Sequence, residues 1–197
     1  MQTTETPAAP ASLAAAAKAL TPAPLLTSIA RADLPRLGES IPEFGGLVAA
    51  LMPGRRISAG HPDYLIVLPE GPQYEAIDIE FGPRGHRVDG ADHDVDGLAN
   101  TMALINSGID HPAARFCREL SIAGTADFYL PARHELRACY LNAPDLFSHH
   151  GDYWTSTQSG SDGAWFQDFS LGVQDIDYKD WKQRCRAVRR VFIDSPL

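Results

Sequence analysis

Two hydrophobic spacings divide this chain. "GGLVAALM" (45–52) and "DYLIVLP" (63–69) are short apolar runs bounded by glycine and proline, which predicts strands. "PGRR" and "SAGHPD" between them carry turn chemistry. "YEAIDIEF" (74–81) alternates in part and predicts a third, weaker strand. The spacing then becomes helical. "GLANTMALINSG" (97–108) has Asp96 as its N-cap and Gly108 as its stop. "HPAARFCREL" (111–120) puts Pro112 at the first helical position, with Phe116, Cys117 and Leu120 on one face. "PARHELRACYLN" (131–142) starts on Pro131 and gathers Leu136, Cys139 and Tyr140 on one side. From residue 153 short strands with glycine-rich turns return. Strands, helices, then strands, without strand–helix alternation, predict an α+β fold rather than a parallel α/β sheet.

The first 43 residues follow a different rule. "TPAAPASLAAAAKALTPAPLL" offers few large side chains, so it cannot offset its own ordering entropy. "ASLAAAAKAL" favours a short helix, bounded by Pro7, Pro10, Pro22 and Pro24. Two readings stand: a flexible linker, or an arm that docks on a neighbouring subunit. The expected division is an Ala/Pro-rich arm over 1–43 and a globular domain over 44–197.

Composition narrows the function classes. At 197 residues, 44% hydrophobic and 21% charged, the chain suits one globular domain plus an extension. A net charge of −8 disfavours non-specific nucleic-acid binding. No apolar run approaches the roughly 18 residues that span a bilayer, and no basic segment followed by an apolar one marks a secretory leader. Cys117, Cys139 and Cys185 are an odd, sparse set, expected as buried thiols of a chain made in a reducing cytoplasm.

The densest chemistry lies in "GDYWTSTQSGSDGAWFQDFSLG" (151–172) and the "DIDYKDWKQ" that follows. A small sheet needs large aromatics, so Trp154 is expected in the core. Thr155 and Ser156 should satisfy local backbone groups, and Gly160, Gly163 and Gly172 should serve turns. Trp165 and Phe166 are neighbours on a strand, so one of them faces outward. Tyr178 and Trp181, among polar residues, are expected at the surface. Trp165, Tyr178, Trp181, Lys182 and Arg184 form the candidate binding surface. A blander expectation pairs the basic run Lys182, Arg184, Arg186, Arg189 and Arg190 with Asp168, Asp175, Asp177 and Asp180. Calcium is the one cofactor candidate. Asp92, Asp94 and Asp96 before Gly97 resemble the start of a calcium loop, but its twelfth position is Ala103 instead of a bidentate glutamate. An acidic turn capping the next helix is the alternative. His149–His150 is a weak metal pair, because adjacent residues point apart. The enzyme motifs with fixed spacing, such as Gly-x-Ser-x-Gly, His-Glu-x-x-His and a phosphate loop, do not occur.

Several short words recur in a fixed order: Tyr129-Leu130-Pro131, Glu135-Leu136, Tyr153-Trp154-Thr155-Ser156, Ala164-Trp165 with Phe169, Gly172, and Arg186-Ala187-Val188-Arg189. Over residues 127–191 this resembles the C-terminal domain of collagen-like bacterial adhesins, and "DGLANT…HPAARFC" (96–117) is similar to its phage and prophage branch. The resemblance implies a C-type-lectin-like fold with small twisted antiparallel sheets, two to three helices and no catalytic activity. It implies a virion adhesion or decoration module, on tail or head, made in the host cytoplasm, or a prophage product of the bacterial cytoplasm. Its partners would be other subunits of the assembly, reached through residues 1–43, further copies of itself in a homo-oligomer, and a host surface glycan or protein. The alternatives on the same fold are a calcium-dependent glycan-binding lectin and a formylglycine-generating-like enzyme. The enzyme relatives use paired cysteines, and Cys185 has no nearby partner in sequence.

Overall fold

A computed structural model describes residues 24–194. In chain order the strands and helices are β1 (Ser28–Ala30), β2 (Ser40–Ile41), β3 (Gly46–Met52), β4 (Tyr64–Leu68), β5 (Glu75–Glu80), α1 (Gly97–Asn106), α2 (Pro112–Arg118), α3 (Arg133–Asn142), β6 (Asp152–Ser159), β7 (Gly163–Asp168), β8 (Gln174–Tyr178), β9 (Lys182–Arg186) and β10 (Arg189–Asp194). The fold is α+β, with three α-helices and two five-stranded sheets among the described residues.

Sheet 1 runs β1-β10-β4-β3-β2 and sheet 2 runs β5-β9-β6-β7-β8. All pairs are antiparallel except β1 with β10 and β6 with β9. β4 explains how sheet 1 is buried on both faces. Tyr64, Ile66 and Leu68 point into a core shared with Leu136, Cys139 and Tyr153, whereas Leu65 and Val67 point the other way, onto Phe44, Val48, Val191 and Ile193. A third core joins Trp154, Phe81, Phe128 and Cys185 to Leu104 of α1 and Cys117 of α2. Trp154 is fully buried and donates its indole N–H to Ile79 O at 2.9 Å.

Helix ends follow the chemistry expected of them. Asp96 caps α1 by accepting from Ala99 N (3.1 Å), and Gly108 leaves it at φ +76°. Pro112 opens α2. α3 begins two residues after Pro131, and Glu135 there takes the Ala132 N–H at 2.9 Å. Gly163 serves space more than turn geometry: a Cβ there would lie 2.6 Å from Ile176 Cγ2.

The expected division at residue 43 falls inside sheet 1. β1 pairs Ser28, Ile29 and Ala30 with Phe192, Ile193 and Asp194. Ile29, Leu34 and Ile41 close the outer core of that sheet. Arg189, fully buried, donates to Leu26 O (2.9 Å) and Phe44 O (2.8 Å) while its fork meets both oxygens of Asp127. A few apolar residues suffice here because β10 and Arg189 supply the partners that local composition lacks. The Ala-rich helix expected within 11–20, and the arm before residue 24, lie outside the described residues.

β8 is one of the two outer strands of sheet 2, β5 being the other. Asp168 N donates to Val173 O (2.9 Å), so the amides of Asp175 and Asp177 face β7 and those of Ile176 and Tyr178 face away. The amides of Ile176 and Tyr178 are taken locally. Asp175 accepts from Ile176 N, and Asp177 accepts from Tyr178 N, each at 2.8 Å.

Candidate functional site

The β7–β8 hairpin places Trp165 opposite Ile176 and Gly163 opposite Tyr178, so Trp165, Ile176 and Tyr178 share one face. Three residues beyond Tyr178, Trp181 meets its ring edge-on, with centroids 5.8 Å apart. Tyr178 is 46% and Trp181 55% exposed. The Arg84 guanidinium sits 3.8 Å from the Tyr178 ring centroid and holds it from one side. Arg133 lies 4.0 Å from the Trp165 ring and covers it, leaving that indole half-buried. Its neighbour Phe166 packs inward on the Trp154 core. Beside Tyr178 a shallow depression is lined by Ser159, Asp162 and Asp177.

The ledge is held from beneath by a lysine. The Lys179 side chain is fully buried and donates to His86 O (2.6 Å), Gln158 Oε1 (3.1 Å) and Gly160 O (3.1 Å). Burial drives its pKa down to about 8, with Asp162 opposing and Arg87 assisting the fall. Gln158 also accepts from Val88 N, and Asp162 accepts from Gly85 N. The 82–90 loop is thus stitched to the β6–β7 turn, and Arg84 is delivered to Tyr178. Neither Arg84 nor Lys179 stood out in sequence, because their partners lie 94 and up to 93 residues away.

Of the five surface candidates, the structure brings Trp165, Tyr178 and Trp181 onto the ledge. Lys182 is exposed at the start of β9, opposite Glu80. Arg184 turns elsewhere, to Glu75 at 2.6 Å. The expected pairing of the basic run with Asp168, Asp175, Asp177 and Asp180 does not form. Arg184 and Arg186 both meet Glu75, Arg189 meets Asp127, and Arg190 meets Asp96 and Glu135. β6 and β7 lie between β9 and β8 in the sheet, β10 belongs to the other sheet, and the β8 acid that β9 does reach, Asp177, accepts from Gln183 Nε2 (2.9 Å) instead of from a cation.

The acidic turn is likewise engaged. Asp92 pairs with Arg87 (2.7 Å), Asp94 with Arg133 (3.5 Å) and Asp96 with Arg190 (2.9 Å). The three carboxylates therefore turn to three different arginines. Among the described residues, no three His, Cys, Asp or Glu side chains gather as metal ligands would. His149 turns to Asp145 at 3.3 Å.

Two of the ordered words, those of Tyr129 and Glu135, meet in one buried network. Glu135, fully buried, has Oε1 accepting from Tyr64 and Tyr129 hydroxyls and from Arg190 Nη2, each at 2.8 Å. Its Oε2 accepts from Gly97 N at 3.1 Å. Burial and the nearby carboxylate raise the Tyr64 and Tyr129 pKa values, which keeps both hydroxyls as donors. Cys185, isolated in sequence, has a partner in space. Cys117 of α2 shares its core, both are fully buried, and the Cys185 thiol points at Ala113 O (4.0 Å). Burial pushes the Cys117 thiol well up, away from the thiolate that a nucleophile requires. No helix among the described residues is long and apolar enough to cross a membrane.

Comparison with protein-family models finds no match, and comparison with curated proteins finds none either.

Proposed function

We propose that this chain is a non-enzymatic adhesion or decoration module of a phage or prophage virion, built on a C-type-lectin-like fold and anchored through the residues before 24. Its recognition surface is the ledge of Ile176, Tyr178 and Trp181. The observation that carries this reading is that two large aromatic rings stand in solvent at a fixed angle, one of them stacked on Arg84. Aromatic rings held rigidly at the surface lose little entropy on binding, which is the usual economy of a recognition patch. Support for the fold comes from the ordered words over 127–191, whose Tyr129, Glu135 and Trp154 occupy fully buried positions.

The test is co-sedimentation of the full-length protein with bacterial cell envelopes. Wild type should pellet with them, and Tyr178→Ala with Trp181→Ala should weaken binding at least about tenfold at an unchanged melting temperature. Absence of wild-type binding overturns the adhesion reading. Equal binding by the double variant overturns the choice of surface. Binding lost to a chelator and regained with calcium would favour a calcium-dependent lectin instead.

A further inference from the structure

Three of the aspartates expected to pair with the basic run gather with a fourth on one face of sheet 2. Asp152 stands opposite Asp168, Phe166 opposite Asp175, and Ala164 opposite Asp177, so all four carboxylates rise from the same side. Trp165, Ile176 and Tyr178 occupy the other side. Gln183 of β9 joins the aspartates. It stands two residues before Cys185, as Asp152 stands two before Trp154, and Cys185 and Trp154 share a core. Its Nε2 donates to Asp177 Oδ2 at 2.9 Å, which sets the amide among the acids. The residue is 8% exposed, and its Oε1 is buried without a donor among the described residues. None of the four aspartates is in an ion pair among those residues. Burial, and then the charges of Asp168 and Asp177, raise the Asp152 pKa. The place therefore presents acceptors that lack donors, whereas buried acceptors are as a rule paired.

We infer that this face receives an arginine side chain of a basic partner protein, its guanidinium donating to Gln183 Oε1, Asp152 and Asp177 and lying against Phe166. A metal ion fits less well, because no three carboxylates among the described residues gather as its ligands would. A guanidinium carries five N–H donors in a planar fork, so it spans acceptors that stand farther apart. Its flat face suits the half-buried Phe166 ring. The chain already lays Arg84 on Tyr178 and Arg133 on Trp165 in this way. Four carboxylates on a chain of net charge −8 draw in a basic partner and repel a second copy. The inference concerns the face of the sheet opposite the ledge and does not rest on the ledge's role.

Anisotropy of a fluorescent hexa-arginine peptide, titrated with the full-length protein at about 150 mM salt, tests it. Wild type should bind one peptide per chain, at least about fivefold tighter than hexa-lysine. Asp152→Asn with Asp175→Asn should weaken binding at least about tenfold. That variant relieves like-charge repulsion, so it should melt no lower than wild type. Glu43→Gln with Glu119→Gln removes the same charge from exposed positions elsewhere and should leave binding unchanged. Equal losses in the two variants would mean attraction by net charge alone and overturn the site. Absence of binding, or hexa-lysine binding as tightly, overturns it as well. Displacement of the peptide by calcium, but not by sodium chloride of equal ionic strength, would give the place to a metal ion instead.

Discussion

Replacing Lys179 with methionine should change how stability depends on pH in a direction opposite to the common intuition about alkaline conditions. The buried ammonium is bonded to two backbone carbonyls and one amide oxygen, and none of these carries a charge. Its pKa in the folded chain is about 8, against about 10.4 for an unfolded lysine. Between these values the unfolded chain binds the extra proton, so Lys179 adds stability as pH rises and its burial cost is fully present below pH 8. At about 1.36 kcal/mol per pH unit the change amounts to about 3 kcal/mol. Buried thiols act the other way. Cys117 and Cys139 stay protonated in the fold but ionise when unfolded, which erodes stability above about pH 8.5. Those contributions are common to wild type and variant, so they cancel in the difference. Urea unfolding followed by tryptophan fluorescence at a series of pH values gives that difference directly. The wild-type stability minus that of Lys179→Met should grow by about 2–3 kcal/mol between pH 7.5 and 10. A flat difference would refute the account of Lys179 as a buried cation without a charged partner.

Trp154→Ala should cost about 3–5 kcal/mol in urea unfolding, whereas Trp181→Ala should stay within about 0.5 kcal/mol; equal costs would reverse the assignment of core and ledge. Glu135→Gln keeps the shape but leaves Arg190 under-compensated among Tyr64 and Tyr129, and should cost about 3–5 kcal/mol by the same measurement. A chain starting at residue 44 lacks β1, β2 and their part of sheet 1's outer core, and should melt well below one starting at residue 24; matching thermal transitions would return the domain boundary to 44.

What the sequence made legible was local. α1 announces itself through Asp96 and Gly108, and the residues expected on the shared faces of α2 and α3 include buried Cys117, Leu136 and Cys139. Trp154 in the core follows from a small sheet's need for large aromatics, and Tyr178 and Trp181 at the surface follow from their polar neighbours. What stayed hidden depends on which strand lies beside which. β1 carries only three residues, and what makes them a strand is β10, more than 160 residues later. The arginine partners follow the same rule: nearness along the chain suggests the acids of β8, while the sheets bring Glu75 of β5 to Arg184 and Arg186 and leave Asp177 to Gln183. The ledge was visible as residue types. Its rigidity, supplied by Arg84 and Lys179, was not.

The two aspartates along β8 bear on solubility. An outer strand with free amides is a template that another strand can extend, and the risk grows with local concentration. Ile176 and Tyr178 would make such a template sticky, since both are exposed and apolar or aromatic. Asp175 and Asp177 use up two of its outward donors, those of Ile176 and Tyr178, with oxygens from the same strand and leave negative charge along the margin. An exposed aromatic face can therefore sit directly against a sheet margin that offers little for another strand to pair with and repels an acidic one.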